Sequence, residues 1–562
     1  MLLFRRFFPL LVAKIVIFLQ TTKNSTIKYT KEKNNVFFRL NQQKIVRKPA
    51  ESQKKRQIPQ VYAQFLLSLH PENPDKRWMG FHQRARKRII MLIGRDDERQ
   101  VLQEALTDEY SQFIAVYGRR RVGKTFLIRE SYDYHFTFQF TGSAKTPARR
   151  QLARFRMALK EHGQTDLPPI FTNWIVAFSE LKRFITFQPE GKKVIFFDEL
   201  PWMDAPRSGF LSELESFWNG WASARKDIVF VVCGSATSWM VKKIIKNKGG
   251  LHNRLTRRIA LKPFSLRLCE EMMKSRGIEM TRKQILNGYM VFGGVPYYWS
   301  LLQKGASLTQ EIDRLIFSKD GDMYDEFSML YASLFKKPEP YIKVISLLAG
   351  KKEGMTRQEL IEKGHIEDNG VLTDILNDLE WCGFIRGYSM IGKQVKNEIF
   401  QLIDHYTLFY YEYISGKRHG KNFWQSMEGT PRYSNWCGRA FEYVCLWHTD
   451  QIKQKLGISG VLTEEYAWRY IPKERKGKGV QIDLLIDRND GIIDLCEMKY
   501  HEGKFAISES YQKILNDRKV IFTEMAKSKK AIHTIMVTTD GLVHNIYAGD
   551  IQNEVCLNDL FY

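Results

Sequence analysis

The chain has 562 residues, too many for one core, and its 44% apolar content is that of an ordinary globular protein. Its net charge of +25 is uneven: residues 1–90 hold 20 Lys and Arg against 4 Asp and Glu, so the remaining 472 residues carry only +9. Basic balance points to nucleic acid or an anionic membrane, yet most of it lies outside the folded body. Seven scattered cysteines, without a Cys-x-x-Cys pair, argue against a zinc site and a disulfide framework and fit a reducing cytoplasm.

The opening MLLFRRFFPLLVAKIVIFLQ is apolar but broken by Arg5, Arg6 and Lys14, whereas a membrane span needs about 18 uninterrupted apolar residues. No small-residue cleavage site follows Leu19. No stable membrane insertion is expected. Residues 1–90 are expected to be a basic extension, disordered or upstream of a natural start at Met91. The alternative is a membrane-surface anchor.

QFIAVYG reads as a buried strand and KTFLIRESYDY as a helix. Between them Gly118, Arg119, Arg120, Arg121, Val122, Gly123, Lys124 and Thr125 form a loop whose amides would wrap phosphate oxygens at a helix N-terminus. Lys124 would reach the β/γ-phosphates of ATP and Thr125 would bind Mg²⁺. Downstream, KKVIFFDELPWM is an apolar strand ending in Asp198, a partner for Mg²⁺, and Glu199, the general base for the attacking water. A third strand, DIVFVVCGSATSW, sets Ser235 just past its end, either as a γ-phosphate sensor or as a helix N-cap.

These motifs, with LIGRDDERQVL, LTRRIALKPFS and VFGGVPYYW, resemble the archaeal-type ATPase family, on the AAA+/signal-transduction ATPase side of the P-loop proteins. The likeness spans about residues 91–300. It implies an ATP-hydrolysing domain, a base-side contact near Ile93-Gly94-Arg95, a nucleotide contact at Pro296, and Arg254 or Arg258 as a γ-phosphate-sensing or finger arginine. A finger acting in trans would require a homo-oligomer.

Further along, YIKVISLLAG, TRQELIEKG and NGVLTDILNDLEWCGFI predict three helices, and RGYSMIGKQVKNEIFQLID two short strands, the order of a winged helix. The third helix has Asp374, Asn377, Asp378 and Glu380 but no Lys or Arg between 366 and 385, so a structural or regulatory module is expected rather than a DNA reader. DHYTLFYYEYI continues as an aromatic helix whose rings are expected in the core.

The C-terminal part holds a second set of carboxylates. GRAFEYVCLWHT reads as a helix bearing Glu442, and GVQIDLLIDRNDGIIDLCEMKYHEG as a hairpin turning at RNDG. A turn centred on Asp490 places Asp483 opposite Glu497, with Cβ atoms about 5 Å apart, and Lys499 on the same face. Facing carboxylates repel, so a divalent cation held by Asp483 and Glu497, a shared proton, or the lysine must offset them. Glu442, Asp483, Glu497 and Lys499 would then be catalytic in metal-assisted phosphodiester hydrolysis. The Glu…Asp…Glu-x-Lys pattern resembles the PD-(D/E)XK nucleases, specifically the restriction-endonuclease-like domain that ends many archaeal-type ATPases. That likeness implies Gln512 or Lys513 as the last motif position. The basic KERKGKG at 473–479 either steers a nucleic-acid backbone or is a solvated loop.

The expected class is α/β, with a P-loop NTPase parallel sheet, a winged-helix domain and a restriction-endonuclease-like α/β domain. The expected domains are 1–90, the extension; 91–265, ATPase; 266–335, helical lid; 336–405, winged helix; 406–434, aromatic helix and linker; and 435–562, nuclease-like. The expected function is a Mg-ATP-dependent ATPase that controls a nuclease-like domain acting on DNA or RNA. The alternative is a nucleotide-dependent signalling or scaffold switch with a catalytically silent binding domain.

Overall fold

A computed structural model describes residues 27–32, 35–40, 92–388, 398–470 and 479–562. The chain forms two units, 1–89 and 90–562. In the first, Ile27–Glu32 pairs antiparallel with Asn35–Leu40. The expected start at Met91, the apolar opening and residues 473–478 of the basic loop lie outside the described residues.

The second unit begins with helix α1 (Asp96–Glu104) and a five-stranded parallel sheet. Its strands are β1 (Gln112–Tyr117), β2 (Phe138–Thr141), β3 (Lys193–Asp198), β4 (Ile228–Gly234) and β5 (Arg257–Ala260), in spatial order β2-β3-β4-β1-β5. The central strands read as unbroken apolar runs because both faces are buried. Phe113, Ala115, Ile195, Phe197, Phe230 and Val232 belong to one core. Their neighbours Ile114, Val116, Val194, Phe196, Val229 and Val231 belong to the core on the other face. Helix α2 (Lys124–Ser131) follows β1 directly and stops early, since Asp133 and Tyr134 turn left-handed. Strand β4 lies between β1 and β3, so the loop after β1 and the acidic end of β3 flank the end of β4.

Helices α3 (Leu266–Ser275), α4 (Arg282–Phe292), α5 (Pro296–Ser300) and α6 (Glu326–Leu334) come next. Then follow α7 (Glu339–Ala349), β6 (Met355–Thr356), α8 (Arg357–Gly364), α9 (Gly370–Trp381), β7 (Ile385–Tyr388) and β8 (Ile399–Leu402). The strands form an antiparallel sheet in the order β6-β8-β7. Two carboxylates of α9 pair with Lys242, exposed Asp374 at 2.9 Å and buried Asp378 at 3.0 Å. The aromatic stretch after β8 is core, with Tyr406, Phe409 and Tyr413 buried.

Helix α10 (Pro431–Trp447) leads into a mixed sheet, β9 (Thr463–Tyr470), β10 (Val480–Arg488), β11 (Ile492–Lys499), β12 (Ala531–Thr538) and β13 (Asn553–Cys556), with α11 (Glu509–Ala526) between β11 and β12. The first three strands run antiparallel and the last three parallel. One apolar core takes in residues from Ile93 to Phe561, including Tyr406, Phe409, Tyr413, Trp424 and Tyr433. All seven cysteines are free. Among the described residues, no helix is long and apolar enough to cross a membrane.

Candidate functional site

The loop after β1 is held in a conformation that local sequence explains. Gly118 has φ 139°, and a Cβ there would lie 2.4 Å from the Leu261 carbonyl oxygen. Gly123 has φ 93° with open space where a Cβ would be, so backbone conformation alone demands the glycine. Val122 anchors the loop by burying its side chain in the core. Lys124, the first residue of α2, is 6% exposed, and its ammonium donates to the Gly118 and Arg119 carbonyls at 2.9 Å each. Burial pulls its pKa down, against the nearby Cys233, Glu199 and Asp198.

The acidic end of β3 meets this loop. The Thr125 hydroxyl lies 3.1 Å from both Asp198 carboxylate oxygens, a set of hard oxygen donors that fits Mg²⁺. Cys233 on β4 donates to Asp198 at 2.8 Å. Glu199 sits in left-handed backbone at φ 50°, and its Oε2 accepts from the Ser235 amide at 3.1 Å and hydroxyl at 2.8 Å. Ser235 is therefore the partner of the expected general base, and the N-cap position before Thr237 belongs to Ala236 instead.

The loop arginines turn elsewhere. Arg119 is 5% exposed, forms a buried ion pair with Asp404 just past β8, and lies 5.0 Å over the Phe384 ring. Arg121 has φ 70°, pairs with buried Glu326 of α6, and stacks 4.3 Å over Tyr297. Arg120 is half-buried. Pro296 starts α5 and so brings the Tyr297 amide to 3.4 Å from the Arg121 carbonyl. Arg95 is a packing residue, donating to the Lys262 carbonyl at 2.7 Å beneath Phe264. Arg254 and Arg258 are exposed and form no ion pair among the described residues.

Residues 92–302 match a family described as an ATPase domain predominantly from Archaea. Over that stretch the chain is similar to this ATPase family. Over 427 residues the chain is 23% identical to an uncharacterized protein of Methanocaldococcus jannaschii, covering 74% of this chain and 88% of that protein. An uncharacterized ATP-binding protein of the same organism is 40% identical over 42 residues, 8% of this chain and 71% of that one. Among solved structures, the Walker-type ATPase of Pyrococcus abyssi is similar at 15% identity and TM-score 0.43, covering 58% of this chain and 98% of that one. The ORC2 protein of Aeropyrum pernix is similar at 14% identity and TM-score 0.36, covering 60% and 96%. The matched stretch contains the loop, the Thr125 hydroxyl and the acidic end of β3.

The C-terminal carboxylates also converge. The β10–β11 ladder has the expected register, Asp487↔Ile493 through Leu484↔Cys496, and ends one pair short of Asp483 and Glu497. There β10 slips by one residue against β9, between Tyr466↔Leu485 and Trp468↔Ile482. The bulge places Asp483 at an irregularity in the sheet rather than in a flat pair. Asp483 and Glu442 are half-buried and mutually repulsive. Burial first, then Asp483, pushes the Glu442 carboxyl up to about 7, and burial raises Asp483.

The cations at this cluster come from three places. Lys352, from the turn between α7 and β6, lies 2.6 Å from Glu442 and 3.9 Å from Asp483. Glu497 receives Lys499 at 3.2 Å, Arg518 at 2.5 Å and the Tyr511 hydroxyl at 2.5 Å. Gln512 turns away to Asp550 at 2.6 Å and Lys513 is exposed, so Tyr511 and Arg518 fill the place expected of them. Carboxylate oxygens suit a hard divalent cation, but this arrangement does not fit one. Each carboxylate has a cation beside it, and among the described residues no three His, Cys, Asp or Glu side chains form a group that could hold a metal.

Cys233, Glu326, Lys352, Asp404, Tyr511 and Arg518 were not foreseen. Only Tyr511 and Arg518 carried a signal, being seven residues apart and so on one face of α11.

Proposed function

We propose that the chain is a Mg-ATP-dependent ATPase whose nucleotide state governs a nuclease-like C-terminal domain that acts on the phosphodiester backbone of DNA or RNA. In this reading 91–265 is the ATPase, 266–335 its lid, 336–405 a winged helix used for regulation, and 435–562 the nuclease-like domain. Thr125 and Asp198 would hold Mg²⁺, which neutralises phosphate charge when bound. Lys124 would bind the β/γ-phosphates, and Glu199, released from Ser235, would take the proton of the attacking water. Asp483 and Glu497 would hold a cation in the C-terminal domain only once Lys352 and Arg518 give up their places beside them.

The observation that carries this reading is the convergence of Glu442, Asp483, Glu497 and Lys499 from one helix and two strands at a sheet bulge, in the same compact unit as the phosphate loop. The test is cleavage of DNA and RNA with ATP and Mg²⁺ present. Cleavage lost in Glu497→Ala and Lys499→Ala supports the reading, and cleavage that survives both overturns the site.

A second reading, a nucleotide switch whose C-terminal domain binds without cutting, is favoured by the cations already beside each carboxylate. A wild-type chain that turns over ATP and retains nucleic acid without cutting it would select that reading. A homo-oligomer is proposed only as far as Arg254 or Arg258 serves a neighbouring nucleotide site, which sedimentation with and without ATP would test.

A further inference from the structure

The cation between Glu442 and Asp483 belongs to a different part of the fold, and its backbone is fixed from three sides. The Lys352 carbonyl accepts from Gln401 Nε2 of β8 at 2.8 Å. The next carbonyl, of Glu353, accepts from the Tyr388 hydroxyl of β7 at 3.2 Å. Gly354 closes the turn at φ 73°, where a Cβ would meet the Phe400 carbonyl oxygen at 2.5 Å. With its main chain so held, Lys352 extends its ammonium into the acid cluster while its side chain stays 34% exposed. An ammonium 2.6 Å from Glu442 takes up lone pairs that a divalent cation would need, and at 3.9 Å from Asp483 its charge repels any second cation there.

Strand β8 also runs in the other direction. Two residues past its end, Asp404 holds Arg119 of the phosphate loop. The Arg119 carbonyl in turn accepts from the Lys124 ammonium at 2.9 Å. A phosphate that draws on Lys124 therefore pulls against the peptide whose side chain grips Asp404. From there Gln401 and Lys352 are the next links, and each is a hydrogen bond, an ion pair or a stretch of strand.

We infer that Lys352 is an internal counter-ion that keeps the acid cluster closed to a divalent cation, and that the phosphate loop holds it there through Arg119, Asp404 and β8. This rests on the proposed reading of the cluster as a cation site. Both can be tested by titrating the full chain with Mn²⁺, using Asp483→Asn as the blank so that only binding at the cluster is counted. Without nucleotide, Lys352→Met should bind Mn²⁺ at least tenfold more tightly than wild type (the expected gain from freeing the site), and Lys352→Arg, which keeps the charge, should not. Asp483-dependent binding that is equal in wild type and Lys352→Met would overturn the counter-ion while leaving the cation site standing. No Asp483-dependent binding in any variant would overturn both. A non-hydrolysable ATP analogue should tighten Mn²⁺ binding in wild type and have no effect in Lys352→Met. An analogue that leaves wild type unchanged would overturn the link to the phosphate loop.

Discussion

The phosphate loop and the acid cluster both sit at strand ends of one compact unit, but they are made differently. At the loop, one short run of sequence supplies the glycines, the lysine and the hydroxyl, and among the described residues the ammonium of Lys124 hydrogen-bonds main-chain carbonyls. At the cluster, α10, β10 and β11 each supply one carboxylate, and Lys352, Lys499 and Arg518 already stand against them. The first site leaves the Lys124 ammonium hydrogen-bonded to neutral carbonyls, so an anionic ligand can take it as it stands. The second is balanced internally and has to change before a cation can enter.

The largest expected effect tests the first half of that contrast. Lys124→Ala removes the ammonium proposed to bind the triphosphate and should lower ATP turnover about 100- to 1000-fold, the usual loss when a preorganised donor is removed. Phosphate release measures it. Without nucleotide, Mn²⁺ binding at the acid cluster should stay as weak as in wild type, because the cluster's own cations are untouched; a tightening there would mean the two sites are one cooperative structure.

The connection between the sites should be the next most sensitive. Arg119 and Asp404 are 5% and 3% exposed, and Asp404→Asn would leave Arg119 as an uncompensated buried charge. Breaking one side of such a pair costs about 3–5 kcal/mol. Urea denaturation would show it, and a cost below about 1 kcal/mol would place the pair in solvent rather than in the core.

A smaller effect is expected at the seam between the regions. His448 is buried against Tyr289, accepts from the Leu266 amide at 3.0 Å on Nε2, and donates Nδ1–H to the Val444 carbonyl at 2.7 Å. Burial depresses its pKa to about 4, and that of His405 to about 3. Because the folded values lie below the usual 6.5, the unfolded chain takes up protons first as pH falls. The stability contributed by each neutral histidine is intact above about pH 6.5 and is lost toward the folded pKa, at about 1.4 kcal/mol per pH unit. Denaturation midpoints at pH 7.5 and 5.0 should differ accordingly, and His448→Gln should flatten the difference.

The same contrast governs what could be read from residues alone. Glycines, Lys124, Thr125 and the Asp198–Glu199 strand end are legible because each local constraint, a left-handed φ, a helix start or a buried strand, names its own residue type. The hairpin register was legible for the same reason, since RNDG fixes the turn. The bulge that separates Asp483 from its cross-strand partner was not, because it arises from the packing of β10 on β9. Lys352 in GKKEG looks like any solvated turn, and its role depends on α10 passing beside it. The loop arginines misled in the opposite direction: basic residues beside a phosphate loop suggest phosphate contacts, yet Asp404 and Glu326, far away in sequence, take two of them.

The smallest predicted change bears on the second half of the comparison. Lys352 is partly exposed, so its ion pair contributes little to folding, and Lys352→Met should lower stability by no more than about 1 kcal/mol. The loss has a particular origin: three carboxylates then face two cations, and their repulsion is no longer balanced. It should shrink as ionic strength rises, because the cluster is reached by solvent and its charges are screened. It should also reverse when Mn²⁺ is added, since a divalent cation on the freed oxygens stabilises the folded chain by mass action. Melting curves of wild type and Lys352→Met across salt and Mn²⁺ concentrations separate these terms. If the variant's loss is insensitive to both, Lys352 supports the turn mechanically, and the charge at the cluster is settled by Lys499 and Arg518 alone.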